Sequence, residues 1–179
     1  MSATTTHRQD AEAATGAGFT AKSQILAFVE FLLLGGWLGA MCFFSFAVAP
    51  SAFAVLPSRH LAGQMVASTI TKVEWLGLII GFLLLLMQFL KTRKSKLNIA
   101  LLAGMLAATA GLRFWVSPTM NKLRDKMGGI IDEVSPTDPL RVQFNDLHQY
   151  SVTLMSLAIL CGLALMFFTV RSWFRQVTR

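Results

Sequence analysis

The chain has 179 residues, 54% of them hydrophobic and only 14% charged, with a formal net charge of +7. Soluble domains carry roughly 25% charged residues, so this composition excludes an ordinary soluble domain and fits a chain whose surface faces lipid. Nucleic-acid binding would need a basic face on a polar domain, and no stretch is long enough to build one; the basic balance reads instead as orientation across a bilayer.

Residues 1–22 are small and polar with mixed charge, and are expected to form a disordered tail. Asp10 and Glu12, and the position ahead of the first apolar run, argue against a secretory signal. A transmembrane domain over residues 23–171 follows, with four apolar runs: Ile25–Ala49, Val66–Leu90, Leu97–Val116 and Tyr150–Val170. Each supplies about the 20 residues that a spanning helix needs. A helix satisfies its own backbone hydrogen bonds in lipid, so the expected fold is all-α, a bundle of four transmembrane helices. Residues 172–179 are left as a basic tail.

The connections differ in character. In the first, Ser58 reads as the N-cap of the helix entering the second span. Lys91-Thr92-Arg93-Lys94-Ser95-Lys96 makes a tight basic hairpin. In the third, Ser117-Pro118 reads as the N-cap and first position of a separate short amphipathic helix, with Met120, Leu123 and Met127 on one face and Gly128-Gly129 as its end. That helix would lie on the membrane surface or cover the bundle. Asp138-Pro139 starts the last helix, whose Leu140, Phe144 and Leu147 carry the apolar stripe outside the bilayer and into the fourth span.

With four spans, both termini and the 91–96 turn share a side. That side carries Arg8, Lys22, Lys91, Arg93, Lys94, Lys96, Arg171, Arg175 and Arg179, nine basic residues against five on the other: Arg59, Lys122, Arg124, Lys126 and Arg141. Both termini are therefore expected to be cytoplasmic.

Two of the runs end alike. Val48-Ala49-Pro50-Ser51 and Val116-Ser117-Pro118-Thr119 are 68 residues apart, and each is expected to close an outward-going helix. Either the chain holds two parallel helical hairpin repeats, related by an axis along the membrane normal, or proline merely follows two helix ends, as it commonly does. Small residues at four-residue spacing occur in every span: Gly35 with Gly39, Gly77 with Gly81, Gly104 with Ala108, Ala158 with Gly162. They favour close helix packing and leave open a homo-oligomer or a larger membrane complex. Cys42 and Cys161 both lie inside apolar runs and read as free thiols.

Ionisable residues inside a span are costly and mark candidate sites. Lys72 and Glu74 in the second span, Arg113 in the third and His148 at the start of the fourth fall at similar depth near the outer face, and are expected to form a polar cluster, with Asp146 and Tyr150 close by. The cluster reads either as an outward-open pocket, in which Glu74 and Arg113 are partners and His148 is a ligand or proton carrier, or as a Glu74–Arg113 salt bridge that fixes helix register while Lys72 snorkels to the headgroups. Lys72 and Glu74 are two residues apart and point to different helix faces. Glu30, near the inner end of the first span, is expected to pair with Lys91 or Lys94. His60, His148, Cys42, Cys161 and nine Met are soft or borderline metal ligands, but none has local metal spacing, and the Met read as adaptable packing; no metal, haem or pigment follows from the residues. No GxSxG, Walker loop, HExxH or usefully spaced carboxylate pair is present, so an enzyme is not expected.

The pattern Gly39…Phe44…Val48-Ala49-Pro50…Phe53, Leu61-Ala62-Gly63, Arg113…Val116-Ser117-Pro118-Thr119-Met120 and Phe144…Leu147-His148…Ser151 resembles the transmembrane protein 205-like domain family. The resemblance covers about Ala27 to Phe168 and implies a small four-span protein with a domain of unknown function, of a kind linked to export or drug tolerance. The family has no agreed active site, so no residue role carries over. Phe144-x-x-Leu147-His148-x-x-Ser151 is also similar to segments of copper-resistance and haem-pathway membrane proteins. Two functions follow as expectations: a non-enzymatic membrane protein that binds or helps move a small solute or ion at the polar cluster, or an accessory subunit of a larger membrane assembly, with His60 or His148 touching haem or a pigment.

Overall fold

The computed structural model describes residues 21–90 and 95–177. Helix α1 (Ala21–Phe43) passes through a π-helical turn, Phe44–Val48, into α2 (Ala49–Val55). After a short break comes α3 (Arg59–Leu90); α4 (Lys96–Gly111) passes through a second π-turn, Leu112–Val116, into α5 (Ser117–Lys126). A 3-10 turn at Ile131–Glu133 precedes α6 (Pro139–Val177). No strand occurs among the described residues, and four helical rods (Gln24–Val55, Arg59–Leu90, Lys96–Lys126, Pro139–Ser172) are long and apolar enough to cross a membrane. The chain is thus an all-α four-helix bundle of the multi-pass membrane type. Of the tail expected at residues 1–22, residues 1–20 lie outside the described residues, as does most of the basic turn, and Ala21 and Lys22 begin α1; the segment expected as a tail from 172 continues α6 as far as Val177.

Several helix ends are set by the residues that the sequence offers. The Ser58 hydroxyl accepts from the Leu61 N–H at 3.2 Å, and the Asp138 carboxylate from the Leu140 N–H at 2.8 Å. Gly128 and Gly129 adopt φ of +77° and +87°, a conformation that ends α5 and that other residues rarely take. Past the bilayer, Leu123, Met127 and Leu147 pack as a small buried cluster with Met120, Leu140 and Phe144 around it.

The two Val-small-Pro-hydroxyl segments overturn one expectation. Neither ends a helix, and Ser117 caps nothing. Each lies at a π-turn inside a continuous rod: the Ala49 N–H donates to Phe44 O, and the Ser117 N–H to Leu112 O, both five residues back. Proline has no N–H and its ring crowds the preceding turn, so an α-helix entering it must give way. One widened turn absorbs the misfit and keeps the helix going, which in lipid avoids exposing four unpaired carbonyls. The amphipathic segment after Pro118 is therefore the outer end of the third rod and not a separate surface helix.

The 68-residue offset extends beyond the prolines. Glu30, Leu34, Trp37, Met41 and Phe44 are buried along α1 and its π-turn, and so are Asn98, Leu102, Met105, Thr109 and Leu112 along α4 and its own. Within each hairpin the same knob position meets glycine. The Trp37 indole lies across Gly77 and Gly81 of α3; a methyl group on Gly77 would overlap Nε1 and sit 2.9 Å from Cε2. Met105 lies against Gly162 of α6, where a methyl group would come within 2.9 Å of its Cε. Both cysteines are free.

Gly77→Ala is expected to destabilise the bundle by about 1–3 kcal/mol, because the rigid indole cannot yield to an inserted methyl. Gly36 has nothing within 4 Å of an added methyl, so Gly36→Ala should be neutral or stabilising by up to ~1 kcal/mol. Thermal or denaturant unfolding in detergent micelles measures both, and Trp37→Phe should recover part of the Gly77→Ala loss.

Candidate functional site

Helix packing sorts the ionisable residues of the spans into two groups. Glu30 (3% exposed) and Glu74 (1%) point into the bundle. Lys72 and His148 are exposed, and Arg113 is half-buried. The expected cluster does not converge. The two-residue separation of Lys72 and Glu74 has the expected effect, one turned out and the other in.

Glu74 Oε1 accepts a 2.7 Å hydrogen bond from the Ser117 hydroxyl of the third rod. Its Oε2 is buried without a protein partner. The expected Glu74–Arg113 salt bridge does not form. Arg113 acts on the carboxyl only through space; its guanidinium carbon sits 5.2 Å from the centroid of the Trp75 ring, and its Nε is buried without a partner. The reason is directional. Cα–Cβ bonds tilt toward the N-terminus of their helix. α3 and the third rod run antiparallel, so Glu74 leans toward the end of the bundle that holds Arg59, while Arg113 leans toward the end that holds Lys96. Glu74 therefore meets the residue one turn above Arg113, which is Ser117.

A small cavity adjoins the carboxyl, lined by Trp37, Met41, Val73, Glu74, Thr109, Leu112 and Met155. Its volume is about 10 Å³ measured at the centre of a water-sized sphere, room for about one water molecule. Trp37 and Glu74 both line it, and each holds one buried polar atom without a protein partner, Nε1 and Oε2. The Thr109 hydroxyl donates to Met105 O at 2.8 Å, keeping its own lone pairs available. The cavity has an apolar surface, and the orphaned carboxylate oxygen does not open onto it. The cavity has no room for an organic solute.

The remaining expected residues lie apart. Glu30 Oε1 accepts from Gln88 Nε2 at 2.8 Å, a buried bond between the first two rods; Lys91 and Lys94, its expected partners, lie outside the described residues. His60 Nε2 is 3.0 Å from Gln64 Nε2, near Gly129. Asp146 is exposed, and Tyr150 is 56% exposed with its ring 6.2 Å from that of Trp115. No group of three His, Cys, Asp or Glu that could hold a metal occurs among the described residues. Sequence reasoning missed Ser117, taken for a helix cap, and Trp37 and Gln88, neither of which it weighed. The signal for Gln88 was present: an amide near the inner end of one span, at the depth of Glu30 in the neighbouring one.

Ser117→Ala strips the partner from Glu74 Oε1 and is expected to cost about 1–3 kcal/mol, the penalty of leaving a buried acceptor unmade. Ser117→Thr should retain most of the stability, and the melting temperatures of the purified variants test the pair. No curated protein and no solved structure is similar enough to the chain to count as a match. Residues 32–128, more than half of the chain and including Trp37, Glu74, Arg113 and Ser117, match the family described as Domain of unknown function (DUF4149), and the chain belongs to that family.

Proposed function

We propose that this is a small integral membrane protein that binds a proton or a water-sized ion at Glu74 and assists its movement between the outer face and the bundle interior. One observation supports the reading above all: a carboxyl 1% exposed within a membrane span, hydrogen-bonded through one oxygen to Ser117 and orphaned at the other. Ionisable groups in a membrane interior are expensive, and by default mark a pathway or a site. Buried carboxylate oxygens are ordinarily hydrogen-bonded, and one left over calls for an explanation. The guest is a proton or a small ion because the cavity beside the carboxyl has no room for an organic solute. The resemblance to the transmembrane protein 205-like domain family agrees with a transport-related role, and belongs to the same proposal.

Placing both termini on the cytoplasmic side extends the reading. Nine basic residues on one side against five on the other support that orientation, in which the Glu74 site lies toward the outer leaflet. A membrane-impermeant reagent should label a cysteine placed after Arg179 only in inverted vesicles; labelling in intact cells would reverse the assignment.

Infrared difference spectroscopy of the reconstituted protein tests the site itself. A carboxylic-acid carbonyl band that titrates with external pH, and vanishes in Glu74→Gln, is the expected result. A band unchanged by Glu74→Gln, or no titrating band at all, would refute proton binding at this residue. In proteoliposomes that hold a pH-sensitive dye, Glu74→Gln should reduce any proton uptake to the protein-free rate.

A further inference from the structure

The charges that turn away from the bundle form a second arrangement. Lys72 and Trp75 are one turn apart on α3 and share a face. Arg113, from the third rod, lays its guanidinium over the Trp75 ring at 5.2 Å, and Phe114 meets the same ring edge-on at 6.1 Å. Trp75 is 45% exposed and Phe114 64%. The outcome is a groove between the second and third rods with an aromatic floor and two cations. Among the described residues neither cation has a carboxylate within ion-pair distance, whereas Arg141, outside the bilayer, pairs with Asp132 at 3.8 Å.

Depth says what meets this groove. Counting about 1.5 Å per residue outward from Leu90 and from Lys96, Lys72 and Arg113 lie roughly 26–27 Å from the inner ends of their spans. The hydrocarbon layer is about 30 Å thick, so Lys72 reaches the headgroup level by snorkelling, while the Arg113 guanidinium is held beside Trp75 in the interfacial aromatic zone just beneath it. Exposed Leu76, Ile79 and Phe82 continue the same apolar face deeper into the bilayer, where acyl chains pack.

We propose that this groove binds the phosphate of an anionic phospholipid, with Lys72 and Arg113 holding the headgroup and Trp75 and Phe114 supporting the glycerol and upper acyl chain. Charge complementarity selects the occupant: two unpaired cations at and just beneath headgroup depth, bordered by apolar surface, fit an anionic lipid better than a zwitterionic one. Arg113 stacked on Trp75 presents its planar donors from a fixed position, which suits phosphate oxygens.

Native mass spectrometry tests the proposal on the full chain released from nanodiscs of equal parts phosphatidylglycerol and phosphatidylcholine. The wild type should retain phosphatidylglycerol in preference to phosphatidylcholine. Arg113→Gln and Lys72→Gln should each lower that preference about fivefold, one charge's share of the attraction to anionic lipid. Lys72 is exposed and unpartnered, so its variant keeps the test alive should Arg113→Gln misfold. Lys122→Gln, which removes an exposed cation of α5 on the same side, should leave the preference unchanged. Equal retention of the two lipids would overturn the site. So would a loss in Lys122→Gln as large as in Lys72→Gln, which would mean diffuse attraction, or displacement of the lipid by excess inorganic phosphate, which would mean a site for the free anion.

Discussion

In lipid, apolar side chains gain nothing by leaving their solvent for one another, so the helices of this bundle must be held by shape. The fit of Trp37 across Gly77 and Gly81 is the contact on which the rest is arranged. Glycine lets the backbone of α3 come close enough for the indole to lie flat on it, at a distance that no Cβ would allow. Glu74 stands one turn before Gly77, and Thr109 borders the same glycine from the third rod. The approach of the first rod to the second therefore fixes how far the carboxyl stands from Ser117 and how much space remains beside it. A cavity that admits one water is what remains when a large planar ring meets a glycine surface and the smaller side chains around it do not quite fill the corner.

The prolines show a second constraint at work. Water can satisfy the carbonyls at a broken helix end, but lipid cannot. Pro50 and Pro118 follow the π-turns of the first and third rods, and in each case the helix widens by one turn and continues. Continuing carries α5 beyond the bilayer, where Leu123 and Met127 pack beside Leu147. It also places Ser117 inside the bundle, facing Glu74. A chain that stopped at Val116 would have put Ser117 at a solvated cap and left the carboxyl without its donor.

Element identity was legible in the amino-acid sequence because it depends on length and composition: twenty apolar residues admit few structures in a bilayer. Local caps were legible for the same kind of reason, and Ser58, Asp138 and Gly128-Gly129 act where their chemistry predicts. Pairing between helices was not. Counting residues from the membrane surface gives the depth of a Cα, but side chains tilt toward the N-terminus of their own helix, so antiparallel neighbours at equal Cα depth lean past each other. Glu74 and Arg113 are that case. The preference for opposite charges also misled: Glu74 is held by a hydroxyl and Glu30 accepts from the Gln88 amide. The prolines misled because one sequence signal serves two outcomes, and only the solvent around the helix decides between a stop and a widened turn.

The likeness of the two hairpins sharpens the meaning of what they do not share. Trp37 answers to Met105, one π-turn to the other, and Gly77 to Gly162 as the surface under the knob. Three residues before Gly77 stands Glu74; three residues before Gly162 stands Ile159, a partly buried member of the apolar core. At the opposite end of the spans Glu30 answers to Asn98, again a carboxyl against a group that does not ionise, both buried. If an ionisable residue were needed to hold such a hairpin together, the second hairpin would lack something essential, yet it packs without one. A well-packed apolar group of similar size is commonly as stabilising as a buried charge, or more so. Ile159 shows that a hairpin of this kind can pack without a carboxyl at this position, so the presence of Glu74 in one hairpin alone supports the proposal that the group is kept for what a carboxyl can do and an isoleucine cannot: accept from the Ser117 hydroxyl and exchange a proton in the interior of a membrane.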